Sequence, residues 1–409
     1  MAVSAKLRVG FRVKVLLSSF QCGPGQGSEL GNGWNWANAL TDCGHDITVI
    51  TQSSFEEAIR KADPRDVKFH FVEVPWRPAY RLAPSLGVYH YYLSWQDAAL
   101  RHIERQSDRY DVVHHVAWGS LHLGSRLWRL PAPLVYGPIG GGQTAPANYW
   151  RYFGRSWPSE AIRTQLTTGS MLQLNGRSRE TIRNSAVTLV TNSATAAATR
   201  RLGATDVRYM LAEGLSVDWI AAPRSQPTGI PVVLWLGRLL ARKAPTLAVQ
   251  AFAQLRRLMP ARLVMAGDGP LREQVRQEVA RCGVEDDVQL LGQVPFKEIG
   301  HLYGSASVFL FTSLRDSSGS QFLEALGKGL PAVALDHHGI GDVDVGPAAI
   351  KVALPREPRD LPGRLASAMQ TVLCDGQWEL RSEAGIRWAG DWVWPAKAAA
   401  AAQIYKEVV

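Results

Sequence analysis

Cysteine is scarce in this chain, with four in 409 residues. Cys22, Cys43, Cys282 and Cys374 stand far apart without paired spacing, which argues against a disulfide framework or a zinc-finger type of site and makes reduced thiols the expectation. Long apolar runs are missing as well. Although 46% of the residues are hydrophobic, no stretch approaches the ~20 apolar residues that a membrane span needs. The ten histidines include no helix-spaced pair with a glutamate, so no tightly bound metal is expected. No nucleic-acid motif accompanies the formal charge of +9, which leaves an anionic small molecule or a membrane surface as the partner such a charge favours. The opening segment MAVSAKLRVGFRVKVLL shows no clear cleavage site and runs into a strand pattern, so the expected location is the cytoplasm.

What is present is α/β alternation at a length that exceeds one ordinary core. Apolar runs begin at Val13, Asp111, Leu134 and Val187 in the first half and at Val232, Leu263, Val288, Val308 and Ala332 in the second. Helical stretches separate them, which calls for parallel sheets. The polar, proline-containing stretch 222–230, APRSQPTGI, is the expected break. The expected organisation is a first domain over 1–222, a linker over 223–230, a second domain over 231–390, and a terminal helix over 391–409.

The most informative stretch is Ser313 to Pro331, SLRDSSGSQFLEALGKGLP. It sets Asp316 in a loop after a buried strand and Glu324 about one turn into the following helix. Between them, Gly319, Ser320 and Gln321 open that helix, where unpaired N–H groups and the helix dipole attract a diphosphate. A carboxylate on either side suits hydroxyls of a sugar and a ribose. Upstream, the run Val232–Leu236 ends in Gly237 and Arg238, and Lys243 follows five residues later. A third turn, Gly267-Asp268-Gly269-Pro270, follows the strand that ends at Ala266.

These motifs, in this order, resemble the donor half of retaining glycosyltransferases of the GT-B fold, family 4. The resemblance implies two Rossmann-like domains with parallel sheets facing a central cleft. It also implies that Arg238 and Lys243 hold the donor diphosphate and stabilise the departing nucleotide. Glu324 would hold the ribose, and Asp316 with the amides near Ser320 the transferred sugar. The family usually carries a glutamate where Asp316 stands and a glycine where Ala244 stands. A cleft lysine packs little, so Lys243→Ala is expected to cut turnover far more than it destabilises the fold.

In the first half, the loop CGPGQGSELGNGW lacks the third glycine of a dinucleotide site, having Ser28 there, and the next strand ends in Thr51 and Gln52 without an acid. Both facts argue against NAD. In a GT-B enzyme that loop would bring Gly25, Gln26, Gly27 and Ser28 to the diphosphate and Glu29 to the acceptor. His114 and His115 end a strand. The resemblance implies that a histidine at this strand end contacts the transferred sugar; because neighbours on a strand face opposite ways, only one serves, and His115 is favoured, with His114 as a core histidine. In GPIGGGQTAP, Gly140, Gly141 and Gly142 permit close approach of a ligand, and Gln143 would bond a sugar.

The expected substrates are a nucleoside diphosphate sugar and a glycan or lipid-linked acceptor, plausible for surface polysaccharide or glycolipid synthesis. No tightly bound cofactor is expected; magnesium accompanying the donor is compatible with the sequence but not required. Aromatic and basic residues mix at Trp76, Arg77, Tyr80 and Arg81, at Tyr89, Tyr91, Tyr92 and Trp95, and at Trp150 to Trp157. Such a mixture suits peripheral contact at the inner face of a membrane, and equally suits a core or an acceptor cleft. A sugar-nucleotide epimerase and a non-catalytic sugar-nucleotide-binding protein are the two other functional classes that the motifs allow.

Overall fold

Apolar strand runs alternating with helices resolve into two wholly parallel sheets, seven and six strands wide among the described residues. The structure is a computed structural model, and it describes residues 11–26, 28–64, 66–75, 84–168 and 174–409.

The first sheet contains β1 (Lys14–Ser19), β2 (Asp46–Gln52), β3 (Lys68–Val72), β4 (Val112–Ala117), β5 (Leu134–Ile139), β6 (Ser185–Val190) and β7 (Val207–Tyr209), in the order β3-β2-β1-β4-β5-β6-β7. The second contains β8 (Val232–Leu236), β9 (Arg262–Ala266), β10 (Val288–Gly292), β11 (Val308–Phe311), β12 (Ala332–Asp336) and β13 (Ala349–Ala353), in the order β10-β9-β8-β11-β12-β13. Helices on both faces bury the central strands completely. That is why β4, β5 and β11 are buried along their whole length and read as continuous rather than alternating runs. Strand order reverses between β1 and β4 in one sheet and between β8 and β11 in the other. Loops leaving the carboxyl ends of strands at such a reversal are where open α/β sheets bind ligands.

The chain divides into two compact units, Met1–Gly142 with Thr168–Gly214 and Trp394–Val409, and Gln143–Thr167 with Leu215–Val393. The expected boundaries change in two places. Residues 143–167, expected in the first domain, pack with the second unit. Tyr149 Oη donates to Pro355 O at 2.9 Å, Tyr152 Oη donates to Gln250 at 2.9 Å, and Arg315 grips Glu160 through two bonds of 2.7 and 2.8 Å. The break falls at Gly214 instead of Ala222, because Trp219 already stacks on Phe296 at 5.7 Å and donates to Glu324 O at 3.0 Å. The stretch 223–230 is held by Arg224, whose guanidinium donates to Tyr303 O and Ala306 O and lies over the Trp378 ring at 5.1 Å. The terminal helix Trp394–Val408 returns to the first unit and packs on the helix Ser28–Asp42, with Trp36 and Trp394 edge to face at 5.6 Å. Among the described residues no helix is long and apolar enough to cross a membrane, and all four cysteines are free thiols.

Candidate functional site

In the second unit, the loops leaving β8, β9 and β10 and the helix that follows β11 build a cleft of about 420 Å³ lined by Gly237, Arg238, Gly267, Asp268, Gln293 and Gln321, among others. The β8 and β9 loops are locked backbone to backbone. Gly237 N donates to Ala266 O at 3.0 Å, and Leu239 N to Asp268 O at 3.0 Å. A Cβ on Gly267 would lie 1.9 Å from Gly237 O, so only glycine permits this pairing, which sets Arg238, exposed, on the cleft wall.

Lys243 lies in a single 3-10 turn, Ala241–Lys243, and is almost fully buried. Its ammonium pairs with Asp316, donates to Gln321 Oε1 at 3.3 Å, and lies 5.1 Å from the centre of the Phe311 ring. Two motifs 73 residues apart in sequence therefore meet. An ammonium carries three protons, so one is left after these two acceptors. The next residue, Ala244, is buried and adopts the left-handed conformation, with φ 47° and ψ 55°. That explains why a glycine suits this place better, and Pro245 then starts the helix Pro245–Leu258.

The carboxylate of Asp316 is engaged on both oxygens. One takes Lys243 and Ser313 Oγ at 3.1 Å, with Arg242 at 3.9 Å, and the other takes the Ser317 amide at 2.9 Å. Burial would raise its pKa, but Lys243 and Arg242 outweigh burial and hold it at about 2. Asp316 is thus first of all the anchor of Lys243 and of its own loop. The helix Ser320–Gly327 begins at Gly319, which has φ 68° and no room for a Cβ, since one would lie 2.7 Å from Ile340 Cδ1. No side chain caps this start, and the first backbone bonds of the helix are Phe322 N and Leu323 N to Gly319 O. The amides of Ser320 and Gln321 are left to face a ligand. Phe322 and Leu323, buried at 0% and 1% exposure, fix the helix to the core, each contributing about 2 kcal/mol by area. Glu324 is half-buried, and its Oε2 accepts from Tyr303 Oη at 2.9 Å.

Three residues of this site carry no signal in the motifs. Arg242 supports Asp316 from the second side. Tyr303, fully buried, holds Glu324, and its pKa is raised well above the usual value by burial and then by that carboxylate. His338, in the left-handed conformation at φ 51°, follows β12, and the loop around it packs on the Asp316 loop, where a Cβ on Gly339 would lie 2.2 Å from Ser317 O. The rule that ligand residues follow strand ends would have found His338; no sequence rule would have found Tyr303.

The residues expected from the first half are placed differently. Gly27 lies outside the described residues. His115 is fully buried and bonds Tyr92 Oη at 3.0 Å, so its ring faces the core and not a surface. His114 is buried on the opposite face, between Gly137 O at 2.9 Å and Tyr405 Oη at 2.6 Å. Burial holds both histidines neutral, with pKa values of about 3. The residue at the strand end is instead Trp118, whose amide donates to Glu29 Oε1 at 2.6 Å. Glu29 therefore links its helix to β4 and does not point outward as an acceptor contact; burial raises its pKa to about 6 against that bond. Gly33, in the same glycine-rich stretch, serves close packing, since a Cβ there would lie 1.9 Å from Ser19 Oγ. Gly142 packs against Thr195 and donates to its Oγ1 at 3.0 Å, and Gln143 is buried. Of the aromatic belt, Trp76, Arg77, Tyr80 and Arg81 lie outside the described residues; Tyr92, Trp95 and Phe153 are core, while Tyr89 and Trp150 are exposed. Among the described residues no group of three or more metal-ligating side chains converges.

Residues 220–368 match the family Glycosyl transferases group 1. Glycogen synthase of Mycobacterium tuberculosis is 30% identical over 192 residues, 46% of this chain and 45% of that protein. A GDP-mannose-dependent α-(1-6)-phosphatidylinositol monomannoside mannosyltransferase of the same organism is 30% identical over 182 residues, 41% of this chain and 46% of that protein. The chain thus spans less than half the length of these curated relatives. Among solved structures, Anabaena HepE in complex with UDP is similar with a TM-score of 0.62 at 18% identity, over 96% of this chain and 100% of that one. Sucrose-phosphate synthase of Thermosynechococcus elongatus gives 0.66 at 17% identity, over 96% and 98%. The fold is GT-B, and the match to the glycosyl transferases group 1 family falls within the second unit.

Proposed function

We propose that this chain is a retaining glycosyltransferase that moves a sugar from a nucleoside diphosphate sugar to an acceptor hydroxyl. The observation that carries the reading is that Arg238 and Gln321 line one small cleft, with Gln321 in the first turn of the uncapped helix after Gly319 and bonded by the buried Lys243 ammonium behind it, a constellation suited to a diphosphate. Arg238 and Lys243 neutralise charge on the leaving nucleotide. Glu324, held by Tyr303, accepts the ribose hydroxyls. The apolar wall of Val294 and Ile299 receives the base, beside the Gln293 amide.

The acceptor oxygen bonds to C1 of the sugar as the bond from C1 to the phosphate oxygen breaks. The hydroxyl proton passes to that oxygen on the same face, which keeps the anomeric configuration. Asp316 acts by holding Lys243 and the loop whose amides meet the sugar. HepE forms complexes with UDP and with UDP-glucose, which makes uridine donors the first to try, and the mannosyltransferase relative adds GDP-mannose. A glycan or lipid-linked acceptor of surface polysaccharide or glycolipid synthesis, a cytoplasmic location and peripheral membrane contact complete the proposal. No metal is required, so a chelator should leave turnover unchanged.

The test is product analysis with each donor, with and without an extract of glycans and lipids. Release of nucleoside diphosphate that depends on the extract, with an anomeric proton signal retained in the product, is the expected result. Conversion of the donor alone would make the chain an epimerase. Binding without turnover would make it a sugar-nucleotide-binding protein.

A further inference from the structure

Outside that cleft, the second unit holds a larger cavity, about 850 Å³, for which the transfer chemistry has no use. Its volume is that of a small-molecule site. One wall is the helix Arg272–Cys282, which buries Val275 and Val279 and turns Gln274, Gln277, Glu278 and Arg281 to the cavity. Their spacing of three, four and seven residues from Gln274 is one face of a helix. Opposite stand Thr246 and Gln250 on the helix Pro245–Leu258, and the segment 148–154 supplies an aromatic side. There Trp150 is 47% exposed, and Tyr149 and Tyr152 are stacked at 6.2 Å with 24° between their planes.

These polar groups are already ordered. Tyr152 Oη donates to Gln250 Oε1 at 2.9 Å, Gln250 Nε2 donates to Glu278 Oε1 at 2.6 Å, and Arg281 Nε donates to Glu278 Oε2 at 2.9 Å. Gln250 and Tyr152, fixed by these bonds, and the exposed amides of Gln274 and Gln277 stand beside Trp150, whose ring has the Arg151 guanidinium over it at 5.5 Å; amides and a hydroxyl beside an aromatic ring match a ligand with many hydroxyls on one side and C–H groups on the other. Arg281 is neutralised by Glu278, and Glu357 stands in the lining with Arg359 and Arg151, so the lining carries a single excess positive charge.

We propose that this cavity is a saccharide-binding site for a neutral stretch of glycan, separate from the nucleotide cleft. Its role as a hold on acceptor or product glycan rests on the glycosyltransferase reading; its ability to bind saccharide does not. Trp150 stacks on a pyranose ring, and Gln274, Gln277 and Gln250 bond its hydroxyls.

The experiment is calorimetric titration of the full chain with neutral hexasaccharides of glucose, mannose and N-acetylglucosamine, in parallel with UDP and GDP. At least one hexasaccharide is expected to bind, Trp150→Ala to weaken it about tenfold, the size of one aromatic stacking contact, and Gln274→Ala to weaken it less. Nucleotide binding should be unchanged in both variants. Saccharide binding without nucleotide binding would sink the transferase reading and leave this site standing. The site is overturned if no hexasaccharide binds, if Trp150→Ala binds as wild type, or if phosphatidylglycerol vesicles alone engage Trp150.

Discussion

In the first unit, the polar groups around the end of β4 are turned on one another. His114 is held by Tyr405 and Gly137, His115 by Tyr92, and Glu29 by the Trp118 amide. In the second unit, the groups around the ends of β8 and β11 are ordered but incompletely used. Lys243 has a proton to spare, the helix start at Gly319 is uncapped, and Arg238 is exposed on a cleft wall. The same position in the same kind of sheet therefore serves folding in one unit and recognition in the other. The difference lies in burial: the histidines are at 0% exposure and bond to groups of their own unit, whereas Arg238 is exposed on the cleft wall.

The largest expected effect breaks the second unit's side of this contrast. Lys243 was expected to pack little, but its side chain is 9% exposed and its partner Asp316 16%. Lys243→Ala should therefore weaken nucleotide binding by at least about 30-fold and also destabilise the second unit by about 3 kcal/mol, because it strands a buried carboxylate. The double variant Lys243→Ala, Asp316→Ala should recover much of that stability and none of the affinity. Calorimetric melting beside titration would measure both. Equal stability of the single and double variants would contradict the pairing.

A second prediction separates the units by pH. His114 and His115 have pKa values of about 3 in the fold against an ordinary value near 6.5. The unfolded chain thus binds more protons between those values, so the stability that neutral histidines contribute is present above pH 6.5 and lost as pH falls. Asp316, at about 2 against 3.8, keeps its contribution until pH falls below its ordinary value. From pH 7 to pH 4.5 the first unit should lose more stability than the second, where His337, lowered to about 4 by burial, adds a smaller loss of the same sign, and His115→Gln should reduce the first unit's loss. Glu29 has the opposite sign. Its pKa, raised from 4.5 to about 6, costs stability as pH rises through 6, so Glu29→Gln should stabilise the first unit at pH 8 by about 1–2 kcal/mol.

The smallest effect sharpens the comparison at a single backbone position. Ala244 is held at φ 47°, a conformation that costs a side-chain-bearing residue about 1 kcal/mol relative to glycine. Ala244→Gly should raise the melting temperature of the second unit or leave it unchanged, with nucleotide affinity kept. A clear loss of stability would mean that this strain has been misread.

Much of the second unit was legible in sequence because its ligand groups follow apolar strands directly. Val232–Leu236 is a strand as expected, and Gly237, Arg238 and Gly267 fall where its loop and the next one meet. The meeting of Lys243 with Asp316 was not legible, because residue spacing along the chain does not tell which carboxylate a lysine will reach. In the first unit, the alternation rule correctly separated His114 from His115. It could not tell that helices cover both faces of β4. Residues 143–167 were misplaced because what decides their partner is a hydrogen bond from Tyr149 to Pro355, 206 residues away. The edge strands β3 and β7 and the last strand β13 are short, and their sequences KFHFV, VRY and AIKVA are weak signals by themselves.

The central claim, that the Arg238 and Lys243 cleft binds a nucleoside diphosphate sugar, is tested most directly by thermal stabilisation with UDP, GDP, ADP and TDP sugars, on wild type and on Arg238→Ala. The arginine is exposed, so its removal should leave the fold intact, and a ligand that binds only the native state raises the melting temperature by mass action. One class of donor should stabilise the wild-type protein and fail to stabilise Arg238→Ala. Stabilisation of both proteins alike, or of neither, would contradict the assignment.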